Sequence, residues 1–98
     1  MTARGAALTP GMSDVVHVPA SSRFELAVDG EVATLTYEEG ESDVALLHTV
    51  VPSAMEGKGA GSKLAEAAVT WAQEQELEVV PVCSFVQGWL AKHPDALA

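Results

Sequence analysis

Three glycines, Gly57, Gly59 and Gly61, lie where an apolar segment gives way to a helical pattern. The first N–H groups of a helix have no partner within it and lie at the positive end of its dipole. A loop without side chains lets a ligand approach these groups closely, which makes an anion site, most often for phosphate. The alternative is a loop that needs glycine for its own turn at positive φ. Three glycines within five residues favour phosphate binding.

Two well-known phosphate loops do not match this segment. A P-loop requires a glycine, four residues and then Gly-Lys-Ser/Thr, whereas Lys58 lies between two glycines and Gly61 precedes Ser62. The dinucleotide pattern G-x-G-x-x-G would need glycine at position 62 and a βαβ unit that opens the domain. The segment lies past mid-chain, so both patterns fail. Lys58 and Lys63 could still add positive charge toward a phosphate.

The single cysteine, Cys83, follows an apolar segment and precedes Ser84, which can cap a last helix. A position near a helix N-terminus lowers the pKa of a thiol and raises its thiolate content. Cys83 is therefore a candidate nucleophile for acyl transfer, or a general acid for a departing thiol. The alternative is a small buried hydrophobic residue, as a lone cysteine usually is.

His48 is the second candidate for catalysis. It lies on the third predicted strand, and strict alternation puts its side chain on one face with Leu46 and Val50. It could act as a general base if water links it to an amine, or it could be satisfied by a neighbour. His93 is predicted to be a helix C-terminal feature. The histidines are isolated in the sequence, so no metal site is predicted.

Alternation and glycine positions predict the elements that carry these residues. In chain order they are strands over residues 24–28, 32–37 and 44–51, a helix from near 59 to about 74, a strand over 78–82 and a helix from 84 to about 92. Asp29-Gly30 predicts a hairpin. The nearly continuous apolar run of residues 44–51 predicts burial on both faces, and the last helix is predicted to turn Phe85 inward. The strand–helix–strand unit predicts a right-handed parallel crossover.

Composition and length predict one small domain. The chain has 98 residues, which suits a single core. Residues 1–21 are rich in Ala, Gly, Ser and Pro and are interpreted as a disordered leader, with room for a short extended piece at residues 15–18. The domain is predicted to span residues 22–98. Its core of small side chains would gain stability from a ligand or from dimerisation, so a monomer or weak dimer is expected.

The net charge is −9, with 14 acidic residues against 5 Lys and Arg. This charge argues against nucleic acid or an anionic membrane as a partner and favours amines or lysine-rich protein tails. One cysteine excludes an internal disulfide and a cysteine-based zinc site. No run approaches the roughly 20 apolar residues of a membrane span, and no signal peptide is recognisable. A cytoplasmic location is therefore expected.

The glycine loop also fits the pattern Arg/Gln-x-x-Gly-x-Gly/Ala. Gly59 and Gly61 fill the two small positions, while Glu56 stands where a basic or amide residue is usual. Further segments match in order and spacing over residues 22–95; they are FEL at 24–26, DG at 29–30, LTY at 35–37, HTVVP at 48–52, PVCSF at 81–85 and HP at 93–94. The chain thereby resembles the small, truncated branch of the Gcn5-related N-acetyltransferases.

The resemblance implies a fold and a co-substrate. The fold would be of the α/β (α+β) class, a twisted, mostly antiparallel sheet of about four strands with one parallel β-α-β crossover and two helices. The co-substrate would be acetyl-CoA, and no metal would be needed. Its pantetheine arm would lie between the splayed parallel strands on the backbone of Val50 and Val51. Its pyrophosphate would meet the loop; the loop residues are Gly57, Lys58, Gly59, Ala60, Gly61 and Ser62.

The resemblance also implies acetyl transfer to an amine. Cys83 would stand where the thioester arrives, so the transfer could pass through an acetyl-cysteine. Two N-terminal helices of larger family members have no room here, which favours an open acceptor site and a protein or peptide acceptor. The Glu56 carboxylate would repel a pyrophosphate unless it points away. The alternative is a non-catalytic module that binds CoA or a partner protein.

Overall fold

The sheet has five strands, which lie side by side in the order in which they occur in the chain. The computed structural model describes residues 15–28, 30–57 and 59–96. The elements are β1 (Val15–Val18), β2 (Arg23–Val28), β3 (Glu31–Glu39), β4 (Asp43–Val50), α1 (Ala60–Glu74), β5 (Glu78–Pro81) and α2 (Ser84–Lys92), with 3-10 turns at Pro19–Ser21 and Ser53–Met55. Strands β1 to β4 are antiparallel, and β4 and β5 are parallel. The predicted fold class is confirmed, with five strands instead of about four.

The additional strand is β1, which pairs with β2 from Val15 opposite Leu26 to Val18 opposite Arg23. The predicted leader over residues 1–21 is therefore corrected: the short extended piece expected at residues 15–18 is a strand of the sheet. Residues 1–14 lie outside the described part of the chain. A strand of four residues gives too little periodicity to be recognised with certainty from sequence.

An aromatic cluster fixes β1 to the rest of the molecule. The His17 ring stacks on Phe24 at a centroid distance of 4.2 Å, and its Nε2 lies 2.7 Å from the hydroxyl of Tyr37. Trp71 of α1 meets the same imidazole edge-on at 4.9 Å. Burial lowers the pKa of His17, although the negative charge of Glu39 works in the opposite direction. Protonation of His17 therefore opposes the packing that holds β1.

The helices cover one face of the sheet, which we call the inner face. Ala33, Leu35 and Tyr37 alternate inward along β3 and are buried. The apolar stripe of α1 lies over them; its buried members are Ala60, Leu64, Ala65, Ala67, Ala68, Val69 and Ala72. Val86 and Trp89 of α2 complete the core. Most residues of this stripe are alanines, so the α1 backbone can lie close to the strands.

The opposite face, which we call the outer face, is open within the described residues. Val16, Val32, Val50 and Val80 are exposed there to 57%, 45%, 59% and 38%. The prediction that residues 44–51 are buried on both faces is therefore wrong. An apolar run of this kind is typical of a strand that is covered on both faces, but here both helices pack on the inner face.

A β-bulge in β4 changes which side chains point inward. His48 lies opposite Thr36 and Leu46 lies opposite Tyr37, so Leu47 is an extra residue without a counterpart on β3. Before the bulge Leu46 points inward; after it, Thr49 shares the inner face with Leu35, its partner on β3. His48 consequently shares the outer face with Val50, as predicted, but not with Leu46. That part of the prediction is wrong because strict alternation ignores an inserted residue.

Candidate functional site

The sheet opens into a gap beside the second half of β4. Strands β4 and β5 are paired only from Asp43 opposite Glu78 to Leu46 opposite Pro81. The Leu46 carbonyl then accepts hydrogen bonds from the N–H groups of Val82, at 3.1 Å, and Cys83, at 2.9 Å. The chain turns into α2 at that point, while β4 runs on to Val50. Among the described residues, no strand pairs with residues 47–50 on the β5 side.

The glycine loop leads from β4 into α1 through two left-handed residues. Gly57 has φ of +83° and Gly59 has φ of +78°, a region that glycine enters without steric cost. Both glycines thus have the backbone conformation that the turn into α1 requires. Gly59 is the N-cap of α1 and offers no side-chain hydrogen bond. The first helical bond runs from the N–H of Lys63 to the Gly59 carbonyl, so residues 60–62 carry N–H groups without a partner in the helix.

Gly61 serves packing between the two helices. A Cβ at this position would lie 2.7 Å from Cζ and 3.0 Å from Cε2 of Phe85, which is closer than real carbon contacts. Phe85 was predicted to point into the core, but 41% of its surface is exposed. Its ring lies over the first turn of α1 and forms one wall of a cleft.

That cleft has a volume of about 430 Å³ and joins the end of β4, the glycine loop and the start of α2. Its lining residues are Thr49, Val51, Met55, Glu56, Gly57, Gly59, Ala60, Gly61, Ser62 and Phe85. Most of the residues predicted to bind the cofactor are thus brought together. The side chain of Val50 points to the outer face and does not line the cleft, but the predicted contact is with its backbone, which lies on the stretch of β4 that β5 leaves unpaired. Lys58 lies outside the described residues.

Cys83 lies at the inner end of the gap, against Thr49. The Cys83 thiol donates a hydrogen bond to the Thr49 hydroxyl at 3.5 Å. Burial raises the pKa of Cys83, but the Thr49 hydroxyl and the backbone N–H groups of Val86, Phe85 and Thr49 lower it by more, so the pKa is lowered overall. Cys83 is the N-cap of α2, and its thiol forms no N-cap hydrogen bond. The amides of Phe85 and Val86 belong to the first turn of α2 and favour the thiolate over the thiol, as at other helix N-termini.

The histidines are placed away from this thiol. His48 is exposed on the outer face, whereas Thr49 and the cleft are on the inner side. His93 follows α2 at the end opposite Cys83; its Nδ1–H donates to the Trp89 carbonyl at 2.8 Å, and its ring stacks on the Trp89 indole. The structure does not bring His48 or His93 into contact with Cys83.

A second cavity, of about 570 Å³, lies between α1 and α2 on the far side of Ser62. Trp89 and His93 line it together with Lys63, Lys92 and acidic side chains of both segments. Across the described part of the chain, no cluster of three or more His, Cys, Asp or Glu could hold a metal ion. No helix within that part is long and apolar enough to cross a membrane.

Comparison with known proteins decides the family. The model of the GCN5-related N-acetyl-transferase family matches residues 23–98. The chain belongs to this family. The Protein NATD1 of Bos taurus is 32% identical over 98 residues, covering 91% of this chain and 87% of that protein. The Protein NATD1 of Homo sapiens is 32% identical over 83 residues, covering 82% and 74%.

A solved structure of the family has the same fold. The NMR solution structure of a GCN5-like protein from Staphylococcus aureus matches with a TM-score of 0.68 and 25% identity. The match covers 90% of this chain and 86% of the other. The recognition of a small domain of the GCN5-related family from sequence is therefore confirmed.

Two residues of the site escaped the sequence analysis of this family member. Thr49 has no role in the sequence analysis, because the bulge at Leu47, which places it on the inner face opposite Leu35, leaves no mark in the apolar pattern. Phe85 was counted as core, because a phenylalanine in the first turn of a helix usually packs inward. The one available signal was the hydroxyl of Thr49 in an otherwise apolar segment.

Proposed function

We propose that the protein binds acetyl-CoA in the gap beside β4 and transfers the acetyl group to an amine. The observation that carries the proposal is that two features open onto one cleft. One is the uncapped N-terminus of α1 behind the glycine loop. The other is Thr49, which lines the cleft and holds the Cys83 thiol. The first feature suits a phosphate and the second suits a thioester.

The co-substrate would enter through the glycine loop. The N–H groups of residues 60–62 would bind the pyrophosphate at the positive end of the α1 dipole. The pantetheine arm would follow the open edge of β4 at Val50 and Val51. Glu56 lines the cleft and is exposed, so its carboxylate can turn toward solvent and away from the phosphates. Lys58, by its place in the sequence, would add charge at the loop.

Cys83 would act as the nucleophile. Its thiolate attacks the thioester carbonyl, a bond forms between Sγ and the acetyl carbon, and the thiolate of CoA leaves and takes up a proton. An amine then attacks the acetyl-cysteine, loses a proton, and displaces the Cys83 thiolate. The lowered pKa of Cys83 supports this role because it raises the thiolate fraction at neutral pH. A reducing compartment keeps such a thiol free, in agreement with the cytoplasmic location expected from sequence.

His48 would serve the second step. It lies on the outer face beside the gap, two residues along β4 from Leu46, where pairing with β5 ends. An amine that arrives from the outer face would meet His48 before Cys83. We infer that His48 accepts the proton of this amine, directly or through water.

The second candidate function is a CoA-binding module without catalysis. The observation that favours it is Glu56, which brings a negative charge to the lining of the cleft. A binder of this kind would use the same loop and gap but would never carry acetyl on its thiol.

Incubation with acetyl-CoA followed by intact mass measurement separates these functions. The enzyme with a cysteine nucleophile gains the mass of one acetyl group, and Cys83→Ala does not. Amide shifts in a parallel NMR titration should concentrate at residues 49–62, including in Cys83→Ala, which serves as the folded control. Shifts without a mass gain, and without acetylation of an added amine, would support the binding module. The absence of shifts at millimolar acetyl-CoA would contradict both functions.

A further inference from the structure

The outer face of the sheet carries exposed apolar side chains that the proposed acyl transfer does not use. Val16, Val32, Val50 and Val80 lie on four different strands and are each more than a third exposed. Thr34 and Thr36 lie between them on β3, opposite Val50 and His48. Scattered exposed valines are ordinary. Here four of them lie on one sheet face that no described element covers, separated by polar and small side chains of β2 to β4, and such a mixed face can accept a partner.

The charged side chains of the strands are almost all acidic. Arg23 is the only Lys or Arg in β1 to β5, and its Nε–H donates to the Glu25 carboxylate at 2.7 Å. Six carboxylates lie on the same strands, namely Glu25, Glu31, Glu38, Glu39, Asp43 and Glu78. The lysines of the helices are elsewhere, since Lys63 and Lys92 line the cavity between α1 and α2. The sheet side of the molecule is therefore acidic.

Three of these carboxylates form one end of the outer face, which we call the acidic end. Asp43 lies opposite Glu78 on the parallel strand, and Glu38 lies opposite Ala45, two residues further along β4 than Asp43. All three residues are exposed. No Lys or Arg lies on the strands that carry them.

The acidic end is close to the gap. Thr36, the partner of His48, is two residues from Glu38 on β3, which corresponds to about 7 Å along a strand. A polypeptide that contacts Glu38 can therefore reach the rim of the gap with a neighbouring side chain. The inner side of the gap carries the cleft proposed for acetyl-CoA, so the outer face is the approach left for a large acceptor.

We propose that the outer face is the docking surface for a cationic, lysine-containing polypeptide, which presents its amine to the gap. The proposal rests on the proposed function and names the acceptor class of that site. The exposed valines contact the aliphatic parts of the segment, and the acidic end of Glu38, Asp43 and Glu78 contacts its lysines. A second copy of the chain fits poorly, because two proteins with a net charge of −9 repel each other.

The physical character of the contact follows from its exposure. Charges at the surface are screened by salt, and each charge pair contributes little to the binding free energy. Attraction by several carboxylates mainly raises the association rate and selects the sign of the partner. We therefore expect weak binding, which falls steeply between 20 mM and 500 mM salt.

A peptide titration observed by NMR tests the surface without requiring catalysis. The probe is an N-acetylated octalysine peptide, and an octaglutamate peptide is the negative control. Octalysine should shift amides of the outer face, among them Thr34, Thr36 and Ala45, and leave buried amides of α1 unchanged. Glu38→Lys/Glu78→Lys should weaken binding at least tenfold. The matched control Glu66→Lys/Glu74→Lys changes the net charge equally at exposed positions of α1 and should alter binding less than twofold.

The outcomes distinguish this proposal from the proposed function. Outer-face shifts that disappear in Glu38→Lys/Glu78→Lys support the docking surface, whether or not acetyl-CoA binds. Equal weakening in both double variants would show a general charge effect and would overturn it. Shifts confined to the helices would also overturn it, while acetyl-CoA binding at residues 49–62 would leave the proposed function intact. Outer-face shifts that depend on protein concentration alone would identify a second copy as the occupant and refute the cationic one.

Discussion

The contact between Gly61 and Phe85 gives the sharpest test of the site geometry. A methyl group at position 61 would meet Cζ of Phe85 at 2.7 Å, whereas carbon atoms in contact are separated by about 3.5–4.0 Å. In Gly61→Ala the ring must retreat by about 1 Å. Overpacking of this kind costs about 1–3 kcal/mol, and the gain from alanine over glycine within a helix offsets about 0.5–1 kcal/mol. We expect Gly61→Ala to lower the free energy of unfolding by about 1 kcal/mol.

Removal of the ring should reverse the sign of this effect. In a Phe85→Ala background the added methyl group meets no ring, so Gly61→Ala should be neutral or should stabilise by about 0.5–1 kcal/mol. The four proteins form a double-mutant cycle, which urea unfolding measures directly. Because Phe85 is also a wall of the cleft, Gly61→Ala should weaken acetyl-CoA binding in the wild-type background.

Gly57 provides the matched control. A Cβ at Gly57 meets nothing within 4 Å, but φ is +83°. Gly57→Ala should therefore lower the free energy of unfolding by about 1–2 kcal/mol through backbone conformation alone. The loss should be the same with and without Phe85. If Gly61→Ala has the same effect in both backgrounds, the close packing of α1 against the Phe85 ring is refuted.

Two further predictions concern titrating groups. Thr49→Val removes the hydroxyl that supports the Cys83 thiolate, so the pKa of Cys83 should rise, and the alkylation rate measured against pH should reach its midpoint at a higher pH. Burial lowers the pKa of His17, although the charge of Glu39 raises it. The neutral ring therefore stabilises the fold above about pH 6.5, the ordinary pKa of histidine in an unfolded chain. This stabilisation is lost as pH falls through the lowered pKa of the folded state. In His17→Phe the urea midpoint should decrease less between pH 7.5 and pH 5 than in the wild type.

Each of these two predictions has a comparison variant. Thr36→Val removes a hydroxyl from the outer face of the neighbouring strand, and the alkylation profile should not move. Glu39→Gln removes the charge that raises the pKa of His17, so its urea midpoint should decrease more between pH 7.5 and pH 5 than that of the wild type. An unchanged profile in Thr49→Val, or equal acid sensitivity in His17→Phe and wild type, would contradict the environments described here.

The crossover around the glycine loop is where sequence reasoning performed best. Glycine positions, the apolar strand before them and the helical stripe after them are local signals, and they predicted the bounds of α1 to within a residue. Cys83 was placed at the end of β5 for the same reason. Interpretation of the individual glycines was less accurate. Gly57 and Gly59 adopt backbone angles that glycine favours, while Gly61 is required by a ring that lies more than twenty residues further along the chain.

The errors on β4 arise from facts that are not local. A continuous apolar run is equally compatible with a strand covered on both faces and with a strand that exposes one apolar face, and only the position of the helices decides between them. The bulge at Leu47 likewise depends on pairing with β3. Sequence alternation could not reveal it, so His48 was assigned to a face with Leu46 and Thr49 was overlooked.

The order of the strands bears on how the molecule folds. Each strand pairs with the next one in the chain, so β1 to β4 can form as successive local hairpins with small losses of chain entropy. Only the pairing of β5 with β4 must close the long segment that contains the glycine loop and α1. The cleft belongs to this step, which closes the longest connection between paired strands among the described residues. Local unfolding of the crossover can therefore open the site while the four-stranded meander stays intact, and a ligand in the cleft would slow that opening.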